Sequence, residues 1–444
     1  MQLKRRAAAH SAGQMRRQLM AASCALLGAG AAQSQEADGA QKEQSQLSRL
    51  LEGVSFDSAL AYYREDGRIQ AIEPVVNLSK TFAGGEVATL NVTFDSLSGA
   101  SPNGALPSNV PQTFASPSGT SLTTGRHLYT IAPGRLPADP NYQDDRIAVA
   151  GEWELPLSRL THLSLGGKLS GEDDFISATL SASIAQDFNE KNTTLLLGID
   201  NEFDSLRPIG GAPVPDSDYA AFDKDGKKSK DGLGVLLGLT QVMTRRWLSE
   251  LNLSWDRFHG YLNDPYKITS VIDASGNTLG YVYENRPDER TRRSVYLENR
   301  VAWSNVSAGL SLRYMQDDWQ IHSETAQAHV HLSFANRQQY LEPSMRWYRQ
   351  TAADFYTPWL TEGKPLTGFQ ASDDRLGAFH AFTYGVKYAY KLSSDAGLAG
   401  SEFSVRLEYY QQIQDHRLAA PVLLQNLDLY PGLKAILVQF GWRF

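Results

Sequence analysis

Nowhere in its 444 residues does this sequence hold a run of about 20 apolar residues, the length a membrane helix needs. A helical membrane protein is thereby excluded. A β-barrel is not, because barrel strands alternate apolar and polar side chains and look only half apolar. There is one cysteine, Cys24, in a leader-like segment, so the chain beyond it offers no disulfide, no thiolate metal ligand and no cysteine nucleophile. Basic residues are outnumbered, 42 Lys and Arg to 49 Asp and Glu, for a net charge of −7. The first 32 residues contain five basic and no acidic side chains, so the remainder carries 37 against 49, or −12. A net acidic surface argues against nucleic acid as a partner. No repeat of about 40 to 50 residues marks propeller blades. The glycine pairs Gly84-Gly85, Gly166-Gly167 and Gly210-Gly211 are not followed by Lys-Ser/Thr and form no phosphate loop. Serines and histidines occur, but no pattern pairs them as a barrel hydrolase requires, and no catalytic residue is assigned.

What is present begins with an export signal. Arg16 and Arg17 precede a small-residue apolar run, Leu19 to Ala32, with small-residue cleavage sites at its end. Residues 1–32 are read as a signal peptide, with Met15 as an alternative start and a lipoprotein reading at Cys24 as the alternative fate. Residues 33–53 are polar, lack alternation and read as a flexible periplasmic arm, leaving 54–444 for the barrel.

From Val54 onward the pattern has period two. Phe403, Val405, Leu407 and Tyr409 alternate with Ser404, Arg406, Glu408 and Tyr410. Val306, Ala308, Leu310, Leu312 and Tyr314 alternate with polar or small residues in the same way. Such alternation is the strand signature, and ten to fourteen residues suit a tilted membrane strand. Sixteen segments qualify: 54–65, 68–80, 86–96, 144–156, 160–171, 174–187, 192–205, 231–243, 246–258, 291–304, 306–318, 321–335, 338–351, 377–392, 400–412 and 432–444. Their connections sort by parity. Even connections are short, whereas the odd ones include every long one, 97–143, 206–230, 259–290, 352–376 and 413–431. A barrel with both termini in the periplasm has short periplasmic turns and long outer loops, which produces this sorting. The fold expected is all-β: a transmembrane up-and-down antiparallel β-barrel of about sixteen strands in the outer membrane of a Gram-negative bacterium.

Tryptophans support the placement. Trp247, Trp303 and Trp442 fall at periplasmic strand ends, and Trp255 and Trp347 toward the outer ends, as two aromatic girdles would. The chain stops on Val438, Phe440, Trp442 and Phe444 in alternation, with the aromatics expected to face lipid at the inner girdle. This resembles the terminal strand of outer-membrane barrels that the barrel-assembly machinery reads. Outer-membrane lipid and that machinery are the partners expected, with periplasmic partner proteins as a further class.

Five segments resemble a family. They are Ser98–Gly104 (SGASPNG), Tyr261–Lys267 (YLNDPYK), Tyr283–Asp288 (YENRPD), Asp317–Trp319 (DDW) and Tyr348–Tyr356 (YRQTAADFY). They resemble the bacterial outer-membrane family called domain of unknown function 3570, over nearly the whole mature chain. The resemblance implies an outer-membrane protein. Such families often sit beside genes for a thioredoxin-like protein, a small lipoprotein and a flavin transferase, which implies an envelope redox or maturation role. No catalytic residues carry over.

The chemistry-bearing side chains are mostly aspartates. Asp144-Asp145, Asp173-Asp174, Asp317-Asp318 and Asp373-Asp374 all fall at outer strand ends or outer loops. Adjacent carboxylates repel unless a cation or an arginine sits between them, and oxygen ligands in loops suit Ca²⁺ or Mg²⁺. The functional reading is a divalent-cation rim; the plain reading is that aspartate is common in turns and caps. His329 and His331 share one lumen face, as metal ligands or as hydrogen-bonded lumen residues. Lumen faces mix signs, from Glu152, Glu154 and Asp200 to Arg313, Arg346 and Arg406, as in a hydrated path or an ion-pair network. The first functional reading is a channel or facilitator for a small solute, peptide or metal species, with 97–143 folding in as constriction or lid. The second is a non-transport scaffold for redox or maturation partners, docked through the periplasmic turns and 33–50. The third is an outer-membrane hydrolase.

Overall fold

The computed structural model describes residues 53–116, 127–221, 224–363, 368–392, 400–415 and 418–444. Residues 1–52, where the sequence predicts a signal peptide and nearly all of a periplasmic arm, lie outside the described residues. Sixteen strands close into one barrel: Val54–Glu65, Ile69–Thr81, Val87–Pro102, Ala138–Pro156, Thr161–Gly171, Phe175–Phe188, Thr193–Leu206, Lys228–Thr244, Trp247–Gly260, Glu289–Ala302, Val306–Asp317, His322–Phe334, Gln339–Gln350, Phe379–Lys391, Glu402–Gln414 and Leu433–Arg443. Each pairs antiparallel with the next. The first pairs with the last, Leu60 opposite Phe440, so no edge is left open. All sixteen expected strands are present. The long connections, 103–137, 207–227, 261–288, 351–378 and 415–432, leave one end of the barrel, and short turns close the other.

The wall obeys the alternation. Phe403, Val405, Leu407 and Tyr409 are exposed on the outside while Arg406 and Glu408 pair inside, 3.2 Å apart. Leu165, Leu169, Leu180, Leu197, Ile199 and Leu237 continue the outer apolar band. Exposed apolar side chains on this scale mark a lipid-facing surface. No helix among the described residues is long and apolar enough to cross a membrane. Trp247, Trp303 and Trp153 stand exposed near the short-turn end.

Three details differ from the sequence reading. The third and fourth strands run six residues further toward the long-loop end, so the segment expected to be loop from 97 continues as ladder to Pro102 opposite Ala138. Ser, Gly and Pro hide that extension, because a ladder standing clear of lipid needs no apolar face. Gly99, at φ 124°, bends the ladder there, where a Cβ would lie 2.6 Å from the Arg68 carbonyl oxygen. Trp442 does not stand free beside Phe440 and Phe444; it is only 8% exposed, covered by Phe56, Phe403 and Phe444 with ring centroids 5.3, 6.0 and 5.2 Å away. These aromatics lie over the seam between first and last strands, where Phe56 and Phe444 exchange backbone hydrogen bonds of 2.9 Å. Finally, the long loops are folded structure. They carry a hairpin, Gln112–Ser116 with His127–Ile131, and a second, Ile268–Ile272 with Thr278–Tyr283, to which Trp359–Thr361 adds in parallel.

Candidate functional site, a chamber beneath a folded cap

The barrel's apolar core sits in its loops. Phe114, Tyr129, Ile268 and Tyr283 form one buried cluster, and Leu106, Ile272, Leu424 and Leu429 a second. A third joins Trp319, Ile321, Ala353 and Leu376. The loops that supply them leave the barrel at the third, ninth, eleventh, thirteenth and fifteenth strands, at well-separated points of the sixteen-strand ring. To touch, they must cross the mouth, and they do. The Ile268 N–H donates to the Asn103 carbonyl (2.9 Å), Glu362 N–H to Ile272 (2.8 Å) and Leu423 N–H to Ser275 (3.1 Å), while Asn285 and Gln370 exchange bonds of 2.8 and 2.7 Å.

At the centre of this cap is a charged network. Glu284 and Asp373 are each 2% exposed. Arg286 lies between them, 2.6 Å from Glu284 and 2.9 Å from Asp373. Arg375 reaches Asp373 at 2.5 Å and Asp264 at 2.6 Å. Burial pushes the Asp373 carboxyl upward, but Arg375, Lys267 and Arg286 outweigh it and hold the group well below the usual carboxylate range. Burial, with the Asp264 and Asp373 carboxylates nearby, pushes Glu284 up to about 8 against the pull of Arg286, and the Asp264 N–H donates to it as well. One cation bridging two buried carboxylates locks the 261–288 and 351–378 loops together.

Under the cap is a chamber of about 640 Å³. Its floor is the inward face of the first three and last two strands, through Glu65, Ile69, Leu97, Gln412 and Leu433. Its roof includes Ala105, Tyr129, Ile268 and Ser372. Arg68, Lys267 and Arg375 line it together with Glu65 and Asp374. Lys267 is steadied by donating to the Pro102 carbonyl at 2.5 Å, and Arg68 donates to Pro431 at 3.5 Å. Burial raises Asp374 to about 6 against the pull of Arg68 and Lys267. Both signs of charge thus face a space in the size range of small-molecule sites.

The four aspartate pairs all lie at the long-loop end, but they do not form one rim. Asp317 takes Arg290 at 2.5 Å and the Ile321 N–H, and Asp318 accepts from the Thr291 N–H. Asp373 takes Arg286 and Arg375, so at two pairs the neutralising charge is arginine. Asp144, Asp173 and Asp174 gather with Glu172, and Tyr266 donates to Asp174; Asp145 sits beside them in the ladder opposite Ser96. Among the described residues no group of three or more carboxylates or imidazoles has metal-holding geometry. Burial, Asp144 and Asp174 raise Glu172 to about 7. A raised acid contributes stability that is complete below its ordinary value near 4.5 and lost as pH rises through 7. Glu172→Gln is therefore expected to raise the unfolding midpoint at pH 8 and leave it unchanged at pH 4; equal shifts at both pH values would disprove the account.

The histidines are held structurally. His331 contacts Glu342 at 3.3 Å and Ser333 at 3.1 Å, and the His329 ring fills the space above Gly309, where a Cβ would lie 2.2 Å from it. Several lumen charges are paired, among them Arg300–Glu298, Lys230–Asp204 and Arg406–Glu342. Sequence reasoning did not single out Glu284, Arg286 or Arg375, although two of the motif segments, Tyr261–Lys267 and Tyr283–Asp288, contain Asp264, Glu284 and Arg286.

Comparison with solved structures returns outer-membrane proteins at low identity. OccD3 (OpdP) of Pseudomonas aeruginosa is 8% identical, with 88% of this chain and 91% of that one covered and a TM-score of 0.41. A bacterial polysaccharide outer membrane secretin is 10% identical over 88% and 98%, with a TM-score of 0.42. The siderophore receptor PirA from Pseudomonas aeruginosa is 7% identical at a TM-score of 0.41; 87% of this chain aligns, spanning 61% of the receptor's length. No curated protein matches the chain. Residues 16–444 match the family described as protein of unknown function (DUF3570), and the chain belongs to that family.

Proposed function

We propose that this barrel is an outer-membrane facilitator for a small polar solute, with its long loops outward and the cap as its gate. The chamber carries the reading. It lies between the cap and the inner face of the wall, and it presents Arg68, Lys267 and Arg375 together with Glu65 and Asp374. A solute bearing both an acidic and a basic group, or many hydroxyls, matches that lining. The route inward is the lumen of a sixteen-strand barrel, a width that in porins leaves an aqueous channel.

A disulfide across the cap tests the gate. Asn285 and Gln370 exchange both backbone hydrogen bonds, a pairing that places Cα atoms about 5.5 Å apart, within disulfide reach. Cys24 is the only natural cysteine, and it falls in the leader. The double variant Asn285→Cys, Gln370→Cys is expected to pass amino acids or sugars into proteoliposomes when reduced and to stop when oxidised. Equal flux in both states would sink the proposal.

A further inference from the structure

We infer that the outer wall carries a binding groove for a phosphate-bearing lipid, with Arg293 as its headgroup ligand. Arg293 stands on the lipid-facing side of the tenth strand, opposite Trp255 on one neighbour and Gln316 on the other. Its side chain is exposed and has no hydrogen bond or ion pair among the described residues. The outward arginine one level above it, Arg257, is different: it has Glu289 at 2.9 Å. Below Arg293 the same face becomes apolar, with Val295, Leu253 and Leu237 all exposed. These residues and Tyr314 line a surface groove of about 400 Å³ whose upper end is Arg293.

The physics of the site selects its occupant. An unpaired guanidinium against hydrocarbon is costly unless an anion meets it at the interface. Two residues along a strand are about 7 Å, so Arg293 sits one step above the apolar band and beside an interfacial tryptophan, at headgroup height. Guanidinium matches phosphate geometry with two parallel N–H donors. An acyl chain continuing downward would lie between Leu237, Leu253, Val295 and Tyr314. The groove belongs to the long-loop half of the wall. On the orientation proposed above, its lipid is the phosphorylated glycolipid of the outer leaflet.

The mature chain in detergent micelles, titrated with diphosphoryl lipid A and read by native mass spectrometry, tests this independently of insertion direction or conduction. Wild type is expected to retain one lipid. Arg293→Gln should weaken retention about tenfold, the worth of one charge-assisted pair. Leu253→Trp, which fills the groove, should weaken it similarly, whereas Arg257→Gln should not. Dephosphorylated lipid A should bind wild type no better than diphosphoryl lipid A binds Arg293→Gln. Equal retention by wild type and Arg293→Gln overturns the inference, as does an equal loss in Arg257→Gln or displacement by millimolar inorganic phosphate. So does a dimer that covers the groove and excludes lipid. Matching circular dichroism of the variants excludes misfolding as the cause of a loss.

Discussion

Replacing residues 268–283 with a short Gly-Ser link is expected to raise single-channel conductance on the order of tenfold, toward that of an open sixteen-strand porin. This hairpin joins two of the three buried clusters of the cap and three of its loops. Ile268 and Tyr283 belong to one buried cluster and Ile272 to the next. Its backbone meets Asn103 of one loop, Glu362 of another and Leu423 of a third. Ser270 receives the Leu106 N–H at 3.0 Å. Without it those loops lose both their apolar cover and their crossing hydrogen bonds. The wall does not depend on it, because the ninth and tenth strands still pair from His259–Glu289 to Trp247–Val301. Planar-bilayer recordings of the shortened and natural chains decide the matter; identical conductance would mean that the cap does not obstruct the lumen.

The second large effect is expected from Arg286→Met. The substitution keeps much of the volume and removes the charge, leaving Glu284 and half of the Asp373 pairing buried without it. Breaking a buried pair from one side costs about 3–5 kcal/mol, so the cap should open locally while the barrel stays folded. Hydrogen exchange of Asn285 and Gln370 amides reads the opening, and barrel-strand amides serve as the internal reference. Lysine at this position is expected to rescue little, since one ammonium cannot reproduce the fork that spans two carboxylates. The pH dependence has a defined sign. Glu284, raised to about 8, contributes stability that is full below about 4.5 and lost as pH rises through 8. Asp373, held low, contributes in the opposite sense, its share present above the ordinary carboxylate range and lost on acidification. Glu284's share of the natural cap's stability should therefore decline between about pH 4.5 and about pH 8 and change no further above that. Protection unchanged by Arg286→Met at pH 7 would show that apolar packing alone holds the loops.

The wall was readable because its information is local. Each strand pairs with its neighbour in sequence, so alternation, turn length and parity suffice to place it. Leu407 facing lipid and Arg406 facing the lumen follow from one step along the chain. The strand ends beyond Ser96 and before Asp144 escaped notice because a ladder clear of lipid carries no apolar signature. The seam escaped too: Trp442 shares the outward parity of Phe440, yet Phe56, nearly four hundred residues earlier, comes round to cover it.

The aspartate pairs show the same division. Their position at the long-loop end followed from topology, but what neutralises them did not. Arg286 and Asp373 are 87 residues apart and belong to loops from different parts of the ring. Nothing in either segment's pattern names the other, and adjacent carboxylates in sequence suit a cation as well as an arginine. By itself, then, the sequence determined a sixteen-strand membrane wall, its inside and its outside, since period-two patterning and nearest-neighbour pairing leave little freedom. Only the tertiary structure decided that the loops close into a cap with its own core and that a mixed-charge chamber lies beneath it. Those features depend on contacts between residues far apart in the chain, made only after the barrel has brought its loops together over one mouth.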